Sequence, residues 1–153
     1  MEIDSTGAAP IHTAILYNRL PLGTVIRTHV LDTDPPKIKI FVIVGYYEDA
    51  VITVYFNSYV NTTVNFSQEL QALHIPFLRD GRPYLTKDCH CDCSTLISRN
   101  KDQIHTLVKE DPDIQVGTLS KDDLDAVMMT LRHSQKLKGT IKNRYGFYEY
   151  QTN

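Results

Sequence analysis

The 153-residue sequence has no long apolar run: the longest uninterrupted one, Ile40 to Val44, has only the length of a strand. A membrane-spanning helix needs roughly 18 or more consecutive apolar residues, so we expect no such helix and no membrane partner. The first residues also lack the basic stretch followed by an apolar one that marks a secretory signal peptide. These absences predict a cytoplasmic location.

Cysteine is scarce, and the 3 that occur, Cys89, Cys91 and Cys93, lie almost side by side. An odd number at such short spacing does not form the disulfide framework of a secreted domain. On a strand, side chains of one face lie about 6.5–7 Å apart, so three thiolates in a row cannot share one tetrahedral zinc ion. We predict reduced, mostly buried thiols, no bound metal and no cofactor, in preference to a metal site or a redox thiol.

Several sequence motifs that indicate a nucleotide-binding or catalytic site are missing as well. The sequence contains no P-loop, no Rossmann glycine pattern, no Gly-x-Ser-x-Gly elbow and no His-Glu-x-x-His pair.

The net charge is small, formally −2, but it is unevenly distributed. Residues 132–153 hold 5 Lys/Arg against 1 Asp/Glu, whereas residues 1–131 hold 11 Lys/Arg against 17 Asp/Glu. A basic end can contact phosphate, although a solvated helix end explains the same charges.

What is present is a β pattern in the middle of the chain. Alternating and β-branched residues predict consecutive antiparallel strands over 22–31, 38–45 and 50–57. Residues 73–78 predict a further strand, and the Asp80-Gly81 pair after it favours a two-residue hairpin. The return strand is expected from about residue 84 to residue 97, with a break.

Two helices are expected after these strands. Residues 101–110 predict a short helix, and residues 120–136 predict a longer one that packs on the sheet. Ser120 is a suitable N-cap, with Asp123 as the acidic member of a capping box and Leu119 before the cap as part of a hydrophobic staple. The apolar stripe of the second helix has helical spacing and consists of Leu124, Val127, Met128 and Leu131.

Short strands with few helices between them predict an α+β fold, namely a small, strongly bent antiparallel sheet or barrel with a C-terminal helix. A chain of this length suits one domain and buries about two thirds of its unfolded surface. We therefore expect an N-terminal extension over 1–21, a single barrel domain with its closing helix over 22–137, and a basic, aromatic tail over 138–153.

The densest cluster of reactive side chains lies around the cysteines. If this segment is a strand, His90, Asp92 and Ser94 share the face opposite the sulfurs. An aspartate can orient a histidine and stabilise its charged form, and histidine titrates near neutral pH. The three residues are therefore candidate catalytic groups for proton transfer at an RNA 2′-hydroxyl. The alternative is a polar strand face without a catalytic role.

The order of several segments resembles a known family. A glycine-led strand, a basic apolar strand, a Cys-Asp strand and a Gly-Thr-Leu-Ser turn into the last helix occur in this order as Gly23–Ile26, Lys37–Val44, Cys91–Ile97 and Val116–Ser120. This order is similar to the MazF/PemK/Kid group of toxin endoribonucleases, and the similarity covers roughly residues 20–137. The resemblance implies a small SH3-like barrel with a C-terminal helix.

The same resemblance implies metal-independent cleavage of single-stranded RNA, a homodimer and a partner antitoxin protein. In that group an Arg-x-Asp strand supplies catalytic residues, and the matching positions are His90 and Asp92, with histidine in place of arginine. The basic residues expected on the phosphates are Lys37, Arg79, Arg82 and Lys87. Two hypotheses stay open: a toxin-like endoribonuclease, and a non-catalytic SH3-like module that binds RNA or a protein partner.

Overall fold

The computed structural model describes residues 20–152 of the chain. The predicted N-terminal extension, residues 1–21, lies outside this part except for its last two residues. The strands are β1 Thr24–Val30, β2 Lys37–Tyr47, β3 Ala50–Asn57, β4 His74–Phe77, β5 Cys89–Asp92, β6 Ile97–Asn100 and β7 Gln115–Thr118. The helices are α1 Gln68–Gln71, α2 Lys101–Glu110, α3 Lys121–His133 and α4 Gly139–Arg144, and a 3-10 turn covers Pro112–Ile114.

The strands form one sheet with the order β4-β5-β3-β2-β1-β7, and β6 also pairs with β3. Every pairing is antiparallel. The sheet curls strongly into a half-barrel with a C-terminal helix, so the predicted α+β class and bent antiparallel sheet are confirmed. None of the helices in the part of the chain described by the structure is both long and apolar enough to cross a membrane.

The first three strands follow the sequence pattern closely, and their antiparallel order is confirmed. Val42 of β2 lies opposite Val25 of β1 and Val54 of β3. The register of β2 and β3 shifts between Ile43 and Gly45, and such a bulge bends a strand. A side chain at Gly45 would place its Cβ 2.9 Å from the Tyr145 carbonyl oxygen, so glycine at this bend lets the C-terminal segment approach the sheet.

Apolar residues cover both faces of the sheet. On one face, the buried side chains of β2, β3 and β5 form a core with Val127, Met128 and Leu131 of α3. On the other face, a smaller cluster around Ile26 and Phe41 includes Ile104 of α2. A strand covered on both faces is expected to be continuously apolar, and this explains the uninterrupted run in β2.

The helix predicted over 120–136 is α3, and it ends at His133 rather than at residue 136. Ser120 is its N-cap, because its Oγ accepts a hydrogen bond of 3.1 Å from the Asp123 amide. The acidic half of the predicted capping box is wrong, since both Asp123 carboxylate oxygens accept hydrogen bonds of 2.9 Å from the Arg82 guanidinium. A bidentate arginine pair is a stronger interaction than a bond to one amide.

The two-residue hairpin predicted at Asp80-Gly81 is wrong. Residues 78–88 connect β4 to β5, and Gly81, with φ of +77°, lies in a local turn that the Arg82 amide closes on the Arg79 carbonyl. The chain does not return at once because Tyr84 and Leu85 are buried in the core beneath it. The return strand therefore begins later than predicted, at Cys89 instead of about residue 84. Its predicted break is confirmed, since β5 and β6 both pair with β3 on either side of residues 93–96.

Residues 139–152 pack against the half-barrel. Phe147 is fully buried in the α3 core. Arg132 of α3 donates a hydrogen bond of 2.8 Å to the Phe147 carbonyl and one of 2.5 Å to the Tyr150 carbonyl. Tyr150 in turn donates to Asp125 over 2.6 Å. Contacts of this kind make the segment after α3 part of the folded core, and the domain limits at residues 22 and 137 stay a prediction.

The three cysteines are free and buried, as predicted. Cys89 and Cys91 lie on one face of β5, and Cys93 lies in the turn after it. A hydrogen bond with Cys93, together with burial, raises the pKa of the Cys91 thiol well above its usual value, and burial also raises the pKa of Cys89. Protonated, buried thiols behave as small apolar side chains.

The expected absence of a metal has a direct test. Native mass spectrometry of the intact protein, after incubation with excess Zn²⁺ and desalting, should give the mass of the metal-free chain. All three thiols are buried and the pKa values of Cys89 and Cys91 are raised, whereas zinc needs deprotonated sulfur ligands around one point. Stoichiometric zinc that is lost in a Cys91→Ser variant would contradict this expectation. Thr118→Ser, a change outside the cysteine cluster, is the control for handling.

Candidate functional site

A cavity of about 320 Å³ lies at the end of the sheet where β2, β3, β4 and β5 meet. We call it the lysine cavity, because lysine is the most frequent charged residue in its lining. Its charged and polar lining includes Lys37, Lys39, Lys136, Asn57, His74, Asp92 and Ser94, and residues 58–65 close one side. Three lysines against one aspartate give this space a positive balance, which favours an anionic ligand.

Strand register brings the floor of the lysine cavity together. Asn57 at the end of β3 lies opposite His90 of β5, and Asp92 at the end of β5 lies opposite His74 of β4. Side chains two residues apart on a strand share a face, so Asp92 lies on the same side of the sheet as His90 and Asn57. The Asn57 amide nitrogen donates a hydrogen bond of 3.1 Å to Asp92 Oδ2.

Asp92 is held by the turn that follows β5. Its Oδ1 accepts hydrogen bonds from the Ser94 amide, at 2.9 Å, and from the Ser94 hydroxyl, at 2.5 Å. Aspartate commonly accepts from the backbone two residues later, which closes such a turn. A carboxylate has about four acceptor positions, and these bonds with the Asn57 bond occupy three. Among the described residues, one acceptor position on Oδ2 therefore has no donor and can take a ligand hydroxyl.

Lys39 reaches the same group of side chains from β2. Its Nζ donates to Asn57 Oδ1 over 2.5 Å, so Asn57 connects the lysine to Asp92. The ammonium also lies 4.8 Å from the centre of the Tyr55 ring. Burial lowers the pKa of Lys39, with a further contribution from the nearby Lys37 charge. An ammonium group that is partly desolvated interacts more strongly with an anion than one in open water.

The Tyr55 ring behind Lys39 is fixed by a separate set of polar contacts. The Tyr55 hydroxyl donates to Asp32 over 2.6 Å and accepts from Arg99 over 2.6 Å. The Arg99 guanidinium lies 4.4 Å from the centre of the Phe41 ring. Burial and the hydrogen bond to Asp32 raise the pKa of Tyr55. This arrangement holds the ring in place as one wall for the Lys39 side chain.

His74 is a member of the site that the sequence analysis missed. Its side chain is 4% exposed, and its Nδ1 lies 3.6 Å from Asp92 Oδ1, which is too long for a hydrogen bond. Neither ring nitrogen has a hydrogen-bond partner within residues 20–152. A protonated His74 would face the Asp92 carboxylate directly. No local sequence signal points to it, because only the β4–β5 register of the folded sheet places His74 opposite Asp92.

The structure does not bring all of the predicted catalytic and RNA-binding residues to one site. Lys37, Asp92 and Ser94 line the lysine cavity, whereas His90 does not belong to its lining. The other three basic residues, Arg79, Arg82 and Lys87, lie in the connection over 78–88. Hydrogen bonding to Asp123 raises the pKa of Arg82 and occupies its guanidinium. The roles assigned to these residues stay predictions.

Three further residues of the cavity, Lys39, Asn57 and Lys136, had no predicted role. Lys39 had a weak signal in the sequence, since it shares a β2 face with Lys37. Lys136 follows α3, and nothing local connects it to β5. Among the described residues, no three histidine, cysteine or carboxylate side chains are grouped so that they could hold a metal ion.

Compared with models of known protein families and with curated protein sequences, the chain matches none. The resemblance to the MazF/PemK/Kid group therefore stays a prediction that rests on short segments of sequence. A functional argument has to start from the lysine cavity itself.

Proposed function

We propose that the protein binds single-stranded RNA, with a phosphodiester of the strand in the lysine cavity. The observation that carries the proposal is the charge of the lining, three lysines around one hydrogen-bonded aspartate. Lys37 and Lys136 are exposed at the rim, where they can contact successive phosphates. Lysine contacts of this kind supply most of the sequence-independent affinity for nucleic acid.

The polar floor favours RNA over DNA. A ribose 2′-hydroxyl is a hydrogen-bond donor that DNA lacks, and it is the group by which proteins distinguish the two. The open acceptor position on Asp92 Oδ2 could take that hydrogen bond, while Asn57 fixes the carboxylate. A deoxyribose at the same place would leave this partly buried acceptor unpaired, which costs free energy.

Binding should weaken in a defined way when the rim lysines lose their charge. A Lys37→Gln/Lys136→Gln double variant should bind a single-stranded RNA oligonucleotide about tenfold more weakly near 0.15 M salt. The slope of log affinity against log salt should fall by about 0.7 for each lysine removed, because each releases one set of counterions. Fluorescence anisotropy of a labelled oligonucleotide between about 50 and 200 mM salt measures both quantities.

Lys109→Gln is the matched control, since this exposed lysine lies on α2 and outside the cavity lining. Its salt slope should equal that of the unmodified protein. DNA of the same base sequence should bind more weakly than RNA. Equal RNA binding by the double variant and the unmodified protein would exclude the cavity as the phosphate site.

Cleavage of the bound strand is the second candidate function, favoured by the juxtaposition of Asp92 and Lys39 through Asn57. In this reaction Asp92 takes the proton of the 2′-hydroxyl, and the 2′-oxygen attacks the phosphorus. The bond to the 5′-oxygen breaks, and Lys39 offsets the growing negative charge or protonates the leaving oxygen. The products are a 2′,3′-cyclic phosphate and a 5′-hydroxyl. Such proton transfers contribute about 10²–10⁴-fold each.

The homodimer and the antitoxin expected from the family resemblance stay predictions.

A further inference from the structure

Residues 58–66 form a loop that is held together by its own asparagines, and residues 58–65 of it close the lysine cavity on one side. We call it the asparagine loop. The Asn61 side chain accepts hydrogen bonds from the amides of Thr63 and Val64, at 3.0 and 3.3 Å. The Asn65 side chain is buried and donates to the Asn61 carbonyl over 2.9 Å. The hydrogen bonds of Asn61 and Asn65 thus fix the backbone of this loop.

Its aromatic side chains lie outside. Tyr59 is 73% exposed and Phe66 is 79% exposed, and Val64 between them is 65% exposed. Within residues 20–152, neither ring packs against another aromatic ring, and the Tyr59 hydroxyl forms no hydrogen bond. These exposed apolar side chains are grouped in one loop whose Asn65 side chain is buried, and such a group is a candidate contact surface.

We infer that Tyr59 and Phe66 are stacking platforms for the bases of a single-stranded RNA whose phosphate lies in the lysine cavity. The inference rests on the proposed function and adds a second part to the binding site. Tyr59 lines the lysine cavity together with Lys37 and Lys136, so the phosphate contacts and an exposed ring border the same space. Single-stranded nucleic-acid sites combine these two elements, a basic groove and aromatic rings on which successive bases stack.

The charge of the neighbourhood argues for a nucleic acid rather than a purely apolar occupant. Tyr59 borders a space with three lysines and one aspartate, and Phe66 lies in the same loop. An apolar protein surface would gain nothing from these ammonium groups and would have to desolvate them. A nucleotide strand supplies an anion for the lysines and an apolar ring for each aromatic side chain. The stacked contact does not depend on base identity, so little sequence preference is expected.

The test compares RNA with a ligand that has charge but no bases. Tyr59→Leu and Phe66→Leu should each weaken binding of a single-stranded oligouridylate by about tenfold, because leucine keeps an apolar side chain but removes the π face. Binding of inorganic polyphosphate should be unchanged in both variants. Tyr59→Phe, which keeps the ring, should bind the oligouridylate like the unmodified protein. Tyr148→Leu is the control for loss of an exposed tyrosine elsewhere.

The outcomes separate the inference from the proposed function. If the leucine variants bind oligouridylate normally while Lys37→Gln/Lys136→Gln does not, the stacking role is wrong and the lysine cavity stays the RNA site. If the unmodified protein binds no oligouridylate, both proposals are wrong. If Tyr59→Leu changes only self-association, measured by sedimentation, the rings are a contact between copies of this chain and the inference is overturned.

Discussion

Replacing Met128 with aspartate should destabilise the protein by several kcal/mol, which is a large part of the total stability of a domain of this size. Met128 is 1% exposed and lies in the core between α3 and the sheet. A carboxylate there has no basic partner on the apolar stripe, so it must lose its hydration or become protonated. A urea titration followed by circular dichroism should show a much lower midpoint.

Two variants on the same helix separate burial from helix chemistry. Ala126→Asp places the same carboxylate on an exposed position of α3, and it should cost only about 1 kcal/mol, from lower helix propensity and the nearby Asp122 charge. Met128→Leu keeps the volume and the apolar character, and it should cost less than about 1.5 kcal/mol. A Met128→Asp protein with an unchanged urea midpoint would show that α3 does not pack on the sheet as described.

Local signals were sufficient for the parts of the fold that are determined locally. The alternation and β-branching of residues 22–57 predict β1, β2 and β3 because the side-chain period of a strand is visible in any sequence window. Ser120 predicts the start of α3 because a cap is a contact across three residues. The uninterrupted apolar run in β2 predicts a strand buried on both faces, and two separate core clusters cover it.

Long-range pairs could not be predicted in the same way. Asp123 is three residues after Ser120, and only the folded chain brings Arg82 to it. Tyr84 and Leu85 draw the connection between β4 and β5 into the core, and no window around Asp80-Gly81 contains that information. The same is true of Phe147, whose ring packs where a side chain at position 45 would lie, so that its burial depends on glycine there.

The candidate site divides along the same line. Asp92 and Ser94 lie two residues apart, and their contact could be anticipated from the sequence. Asn57 and His74 reach Asp92 only through the registers of β3, β4 and β5, which a one-residue slip would change completely. His90 illustrates the opposite case, because the strand period correctly gives it the face of Asp92 but says nothing about which residues line the cavity.

If the protein cleaves RNA, Asp92→Asn should lower the rate by about 10²-fold or more, because the amide cannot accept the 2′-hydroxyl proton. RNA binding should be retained, because the amide oxygen can still accept the 2′-hydroxyl hydrogen bond and the change removes a negative charge beside the proposed phosphate site. Gel analysis of a mixed single-stranded RNA, with and without EDTA, measures cleavage, and anisotropy measures binding. Glu110→Gln, on an exposed position of α2, is the control and should cleave normally.

The pH dependence of that reaction identifies the role of Lys39. Burial lowers the pKa of this ammonium from its usual value, so it loses its proton at a lower pH than an exposed lysine does. Cleavage that needs the charged form should therefore fall as pH rises through the lowered pKa, whereas a Lys39→Arg variant, which stays charged, should not show that fall. If the cleavage rates of the unmodified protein and of Lys39→Arg fall at the same alkaline pH, another lysine supplies the positive charge. RNA left intact by the unmodified protein from about pH 5.5 to about pH 8 would exclude cleavage and leave binding as the function of the cavity.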